Sequence, residues 1–422
     1  MTTDRRAVVN LVLSTSAFAI SAGGSVLLQI VFATTIYEQT GSGLLSSLFI
    51  SLQYLPALLV LIFKNDWESR GNPSRRWLRL ELLAALMTCP ILLFVGKPNY
   101  VMLFLLLFAR GIVDHIARVI KAVAARYIFP PDKVTRYAPI LQSGFHVGIG
   151  LAAVVGIATG KFFTTAAVTK IDIASFLVAA ALLAFVKPFS DVASDPEPAL
   201  ASFRARLAEY RSMLAADRRL LFSAVLPPLS SSIFQGSYSV FLPLFPIRAL
   251  GLPANAVAVG YVLVSAAILG GSSVFSYANH RYEFFKTDFV RIKRNVLWLS
   301  CASAAAYLTA SVSHKFFVCA VLLTAMVFIF ELVWMSGYTG IFAYAPKGRL
   351  GSIISISYGF GFCAASSCIV LTGVLLDYFK GSFPSVVAIL MGIYLVCFGA
   401  LYAFSVGPRR VIEPPLARSD AS

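Results

Sequence analysis

Apolar residues run along this chain in blocks of twenty or so, broken by short bursts of charge, proline and glycine. A helix rises 1.5 Å per residue, so about 20 mostly apolar residues cross a hydrocarbon layer about 30 Å thick. Twelve blocks meet that length: residues 8–34, 44–63, 78–96, 101–125, 138–160, 168–187, 220–246, 254–277, 295–312, 316–342, 350–375 and 383–405. Barrel strands would be about half as long and would alternate polar with apolar positions. Runs this continuous therefore predict helices, and the fold class is all-α integral membrane with twelve transmembrane helices.

The longest polar stretch, 188–219, divides the spans six and six. Within it, LASFRARLAEYRSMLAADRRLL puts Leu200, Phe203, Leu207 and Tyr210 on one helical face with charge elsewhere, the pattern of an interfacial helix. The predicted organisation is an N-terminal six-helix bundle (1–187), a cytoplasmic amphipathic linker (188–219), a C-terminal six-helix bundle (220–405) and a cytoplasmic tail (406–422). Two similar halves joined in this way suggest an internal repeat.

Charge then orients the chain. The net charge is +16, with 35 Lys and Arg against 19 Asp and Glu, but the basic residues sit between the apolar blocks. If both termini are on one side, only Lys97, Lys161, Lys170, Arg248, Lys315 and Lys380 fall on the other, and Arg110 lies between. The positive-inside rule makes both termini cytoplasmic. It also accounts for the basic charge without nucleic acid, whose binding would call for one basic face on a soluble domain. Arg5 and Arg6 precede an apolar run containing Ala17-Phe18-Ala19, which resembles a cleavage site, yet the run continues through Phe32 and reads as an uncleaved first helix.

Composition adds exclusions. At 58% hydrophobic and 13% charged, the chain is far from a soluble domain. Its six cysteines (89, 301, 319, 363, 368 and 397) all lie in apolar runs without zinc spacing, and its four histidines make no two-ligand helical pair, so no metal and no cofactor are expected. There is no glycine-rich phosphate-cradling loop and no clustered catalytic set, so neither ATP-driven transport nor an enzyme is expected.

Four stretches carry a resemblance: YEQTGSGLLSSLFISLQYLPALL, FARGIVDHIARVIKAVAARYIFPPDKVTRYAPILQSGF, IDIASFLVAAAL and APKGRLGSIISISYGFG. With the six-plus-six layout, the chain resembles the major facilitator superfamily, and within it the drug:proton antiporter group that includes macrolide and enterobactin exporters. The resemblance implies two pseudo-symmetric bundles around a central cavity lined by the first, fourth, seventh and tenth spans. It also has gaps. The loop between the second and third spans, LIFKNDWESRGNPSRRW, aligns only at Arg75 and Arg76, and Ser25 stands where such exporters often carry an acid.

Ionisable residues at mid-depth cost about 2.5–3.5 kcal/mol even on the lenient insertion scale, so they mark water, a partner or a pathway. Arg110 lies about ten residues into the fourth span and Asp114 follows one turn later on its face. Glu331 sits mid-way along the tenth span. The resemblance implies that Arg110 and Glu331 face each other across the cavity. Arg110, Asp114 and Glu331 are the candidate substrate-binding or proton-coupling residues; the bland alternative is that Arg110 and Asp114 only neutralise each other. Gln29, Gln53, Tyr54, His146, Gln235 and Tyr238 are candidate cavity-lining residues, or structural glue between helices. Arg75 and Arg76, with Arg291, Lys293 and Arg294 in the matching loop of the second half, are candidates for conformational-switch loops or lipid anchors.

These features point to a secondary active transporter in a bacterial-type inner membrane, working as a monomer by alternating access with a small molecule, protons and membrane lipid as partners. The positive charge of Arg110 favours export of an amphipathic anionic metabolite, siderophore-like, or a drug, with proton exchange. The alternatives are import of a siderophore or related organic solute, and a receptor or scaffold that does not transport.

Overall fold

The computed structural model describes residues 3–405 except 53, 58, 60, 61, 63–71, 97, 98, 131, 132, 160–163, 190–201, 253, 254, 283–288, 347 and 348. Among the described residues every regular element is helical. Eight helices are long and apolar enough to cross a membrane by length and composition, at the first, fourth, sixth and eighth to twelfth predicted spans.

The first half runs α1 (Thr3–Thr40), α2 (Gly43–Ser51), α3 (Pro73–Thr88), α4 (Tyr100–Ile128), α5 (Val134–Thr159) and α6 (Thr165–Ala184). Polar side chains start these helices where the apolar runs begin. Ser42 caps α2, Asn72 caps α3 with Pro73 behind it, Asn99 caps α4 and Thr164 caps α6, each accepting from a backbone N–H that the helix leaves unpaired. Hydroxyls inside the spans satisfy themselves on the preceding turn, as Ser14 does on Asn10 O at 2.7 Å and Thr34 on Ile30 O at 2.9 Å.

Where three predicted spans are interrupted among the described residues, the causes are local. The second stops being regular helix at Ser51, shortly before Pro56, and the third closes in a 3₁₀ turn over Cys89–Leu93 that contains Pro90. The fifth is one continuous helix, Val134–Thr159. The seventh is built in three pieces: α8 (Arg218–Ser230), a π-helical turn (Ser231–Gln235) and α9 (Gly236–Arg248). Pro227 and Pro228 withdraw two backbone donors there, and Ser230 and Ser231 donate to the carbonyls of Leu226 and Pro227, each at 2.7 Å.

Between the halves, α7 (Phe203–Ala216) is the linker helix. Of the face predicted for it, Leu200 lies outside the described residues, and Phe203, Leu207 and Tyr210 pack against protein. Tyr210 and Leu214 are buried against Leu220, Ala224, Ile341, Ile353 and Ile356 of the second half. Tyr210 Oη lies 3.0 Å from Ser357 Oγ, and Arg349 pairs with Glu209 at 2.7 Å.

The second half continues with α10 (Asn255–Tyr282), α11 (Phe289–Val312), α12 (Phe316–Tyr344), α13 (Leu350–Tyr378) and α14 (Phe383–Phe404). Within the first half α1 packs on α5 and α6, and α3 on α4 and α6; within the second, α12 packs on α8, α10 and α11. The halves meet where α2 packs on α13 and α5 on α10. The α5 glycines serve mainly the first half: a methyl on Gly148 would come 2.2 Å from Ala19 O, and one on Gly144 would come 2.9 Å from Thr15 O. Across the halves, Gly373 leaves room for Ser47, Asp377 accepts from Leu44 N at 3.1 Å, and Ser366 donates to Ser51 O at 3.4 Å. This seam lies on the side of the molecule where α1 turns into α2.

Candidate functional site

Arg110 is buried about a third of the way along α4 and reaches across to α1 and α6. Its Nη2 donates to Ser25 Oγ at 2.7 Å and stands 3.0 Å from Asp172 Oδ2, while Asp114 Oδ2 is 3.9 Å away. Asp172 lies about two turns into α6 and is fully buried. The face of Phe176, one turn further along α6, sits 5.2 Å from the guanidinium carbon. Gly24 makes this approach possible, since a methyl there would come 2.2 Å from Ser175 Oγ and 3.1 Å from Asp172 Oδ1.

The i, i+4 pair is therefore the weaker of two. A carboxylate taken fully out of water is tolerated only with a close charged partner and further hydrogen bonds, and Asp172 has both in Arg110 and Ser25, whose Oγ is 3.3 Å from Asp172 Oδ1. Asp114, with a quarter of its side chain exposed, borders a cavity of about 20 Å³ with Arg110, Ser25, Gln29 and Gly111. Such a volume holds about one water molecule. Arg110 Nε lies at this edge without an acceptor among the described residues.

Sequence reasoning singled out Arg110 and Asp114 but missed Asp172. The signal was present: Arg110 needed a counter-charge, Ser25 stood where an acid was expected, and Asp172 is the second residue of the quoted IDIASF stretch. Ser25 and Asp172 now share the place, the serine taking the hydrogen bond and the aspartate the charge.

Glu331 is also buried, on α12, but it turns towards α10. It accepts from Ser272 Oγ at 2.7 Å, and its Cβ lies where a methyl on Gly271 would meet it at 2.9 Å. Among the described residues no basic group lies within 4 Å of it. Arg110 and Glu331 are not paired in this structure, each being committed to its own half.

The other candidates divide. Tyr54 and Gln235 meet across the halves, Gln235 Nε2 donating to Tyr54 Oη at 3.1 Å. Gln29 lines the small cavity. Tyr238 is buried in the core, and His146 packs edge-on to Phe145 at 5.2 Å. Gln53 lies outside the described residues. The five basic residues assigned to switch loops are helical here. Arg75 and Arg76 open α3 because Asn72 and Pro73 start that helix beneath them, and Arg291, Lys293 and Arg294 fall in the first two turns of α11. Lys293 is buried, its Nζ 3.2 Å from Ser405 Oγ and 4.7 Å from the Tyr402 ring centre.

A second buried network lies further along α4, where Lys121 Nζ pairs with Glu81 at 2.9 Å and Trp77 Nε1 donates to the same oxygen at 2.7 Å.

The sequence model of the Major Facilitator Superfamily matches residues 13–287. No match was found among curated protein sequences. Among solved structures, the fold is similar to that of a bacterial homologue of the human lysosomal transporter Spinster in an inward-facing, unoccupied conformation, with a TM-score of 0.68 at 14% identity over 96% of this chain and 98% of that one. It is similar to the nucleoside transporter NupG, with a TM-score of 0.65 at 14% identity over 95% of this chain and 100% of that one. It is also similar to the E. coli fucose:proton symporter FucP, with a TM-score of 0.60 at 15% identity over 94% and 98%.

Proposed function

The chain belongs to the Major Facilitator Superfamily and is a membrane transporter, not an enzyme, and we propose that it is a proton-coupled secondary carrier exporting an amphipathic organic anion across a bacterial-type inner membrane. The observation that carries this reading is the Arg110–Asp172–Ser25 cluster, buried at mid-depth and opening through Asp114 onto a small cavity. A buried carboxylate paired with one arginine changes its proton affinity whenever that arginine moves. Cargo entering beside Asp114 and a proton taken up by Asp172 are alternative ways of breaking the Arg110–Asp172 pair, and a carrier that crosses with one or the other exchanges solute for protons.

Alternating access follows from the seam. The halves, 1–187 and 220–405, rock about α2–α13 and α5–α10, and with both termini cytoplasmic the Leu44–Asp377 contact lies on the outer face. The state described here is then closed outside and ready to load from the cytoplasm. Glu331 is the second ionisable group of the cycle, reached from the other half.

Inverted membrane vesicles carrying a pH gradient test the reading. Accumulation of anionic siderophores that is abolished by an uncoupler is expected. Accumulation of lipophilic cations alone contradicts anion export, and accumulation only when the gradient is reversed makes the protein an importer.

A further inference from the structure

Three basic residues follow one another along α4, and their surroundings differ. Arg110 is neutralised by Asp172 and Lys121 by Glu81. Arg118 has no carboxylate within 4 Å and no hydrogen-bond acceptor among the described residues. What it has is aromatic: its guanidinium carbon lies 5.1 Å from the ring centre of Phe362, 5.3 Å from Phe145 and 5.6 Å from Tyr54. Rings engage a guanidinium through its charge and its faces, whereas its five N–H donors lie in its plane. Among the described residues nothing takes those donors, and a half-buried cation in an apolar helix carries a cost until an anion or water meets it.

The rings continue away from Arg118. Tyr358 stacks on Phe362 at 5.8 Å with an interplanar angle of 15°, and Trp334 stands 6.3 Å from Tyr358. All three are half-buried. Phe362 meets Tyr54 and Arg118 of the opposite half, so this wall begins at the seam between the bundles rather than at the lipid. Positive charge without a carboxylate partner among the described residues at one end, followed by a run of half-buried aromatic rings, is complementary to one kind of solute.

We infer that Arg118 with Phe362, Tyr358 and Trp334 forms a binding subsite for an aryl carboxylate, the carboxylate taking the free N–H edge of Arg118 and the aromatic part lying along the rings. The inference rests on the reading of the protein as a carrier of organic anions and names the class of anion. It also moves the anion anchor from Arg110, already neutralised, to Arg118. Two parallel N–H···O bonds supply the affinity, and ring stacking separates aryl from alicyclic acids.

The test uses the full chain in lipid nanodiscs and isothermal titration with 2-naphthoate, cyclohexanecarboxylate and 2-naphthylmethylammonium. Naphthoate is expected to bind most tightly and the cation not at all. Arg118→Gln is expected to weaken naphthoate by about tenfold or more, and Arg118→Lys, which keeps the charge without the fork, by less. Tyr358→Leu is expected to remove the preference for naphthoate over cyclohexanecarboxylate while leaving the latter's affinity in place, so a fold defect in the Arg118 variants does not shield the idea. The subsite is overturned if naphthoate fails to bind, if it binds equally to Arg118→Gln, if the cation binds as well as the acid, or if Tyr358→Leu leaves the preference intact. In proteoliposomes, naphthoate that binds through Arg118 but never crosses the bilayer sinks the carrier reading and spares the subsite. Naphthoate flux indifferent to Arg118 does the reverse.

Discussion

Consider removing the charge of Asp172 while keeping its shape, by Asp172→Asn. Arg110 then loses the carboxylate at 3.0 Å and keeps only Ser25 and the more distant Asp114 at 3.9 Å. Breaking a buried pair by deleting one partner costs about 3–5 kcal/mol, because the surviving charge stays buried without compensation. Arg110→Met leaves Asp172 in the same position and is expected to cost a similar amount. Replacing both, Arg110→Met with Asp172→Leu, removes the desolvation cost along with the attraction, and such exchanges are often near neutral in stability. The double variant should therefore be more stable than either single one, with a coupling of several kcal/mol. Equilibrium unfolding in detergent micelles, followed by tryptophan fluorescence, measures all four corners of the cycle, with Asp172→Leu as the single variant that matches the double one. Two independent losses that simply add, or single losses below about 1 kcal/mol, would refute the assignment of Arg110 and Asp172 as a buried pair. Transport separates structure from function: the double variant is expected to fold and to be inactive.

Three further outcomes follow from the packing and the linker. Gly24→Ala pushes a methyl to 2.2 Å from Ser175 Oγ and should cost about 1–3 kcal/mol in the same unfolding assay, with partial rescue by Ser175→Ala. Cysteines placed at Ser47 and Gly373, which touch across the seam, should cross-link under oxidation, stop turnover and release it again on reduction; full activity of the cross-linked protein would exclude motion at this seam. Burial raises the Tyr210 phenol above its ordinary 10.0, with the Ser357 hydrogen bond pulling the other way. Because the docked phenol stays neutral after an undocked one has ionised, linker docking should hold below pH 10.0 and weaken as pH climbs beyond it. Limited proteolysis of α7 against pH reads this directly, and Tyr210→Phe should flatten the dependence.

The broad architecture was legible because hydropathy reports length and solvent, and the twelve blocks mark the helices in order. Breaks inside the second, third and seventh spans were not, since an apolar proline leaves average hydropathy high while it removes a backbone donor, as at Pro227 and Pro228. The amphipathic pattern around Tyr210 named a covered face, but a bilayer surface and the flank of a helix bundle offer the same apolar partner. Arg110 announced itself by the cost of its position. Asp172 did not, because it follows Lys170 near one end of its span and reads as an interfacial residue until α6 is laid against α4 across 62 positions of sequence. Glu331 stood out as an acid inside an apolar run, yet its hydrogen bond to Ser272 depends on the rotation of α12, which spacing along one helix cannot fix.

Coupling at Asp172 is tested most directly in proteoliposomes that trap a pH-sensitive dye, with 2-naphthoate on one side and no imposed gradient. Naphthoate efflux by the unaltered protein is predicted to drive protons the opposite way, and Asp172→Asn to abolish the proton movement. Proton flux that persists unchanged in Asp172→Asn, or naphthoate movement with no proton signal in the unaltered protein, would contradict it.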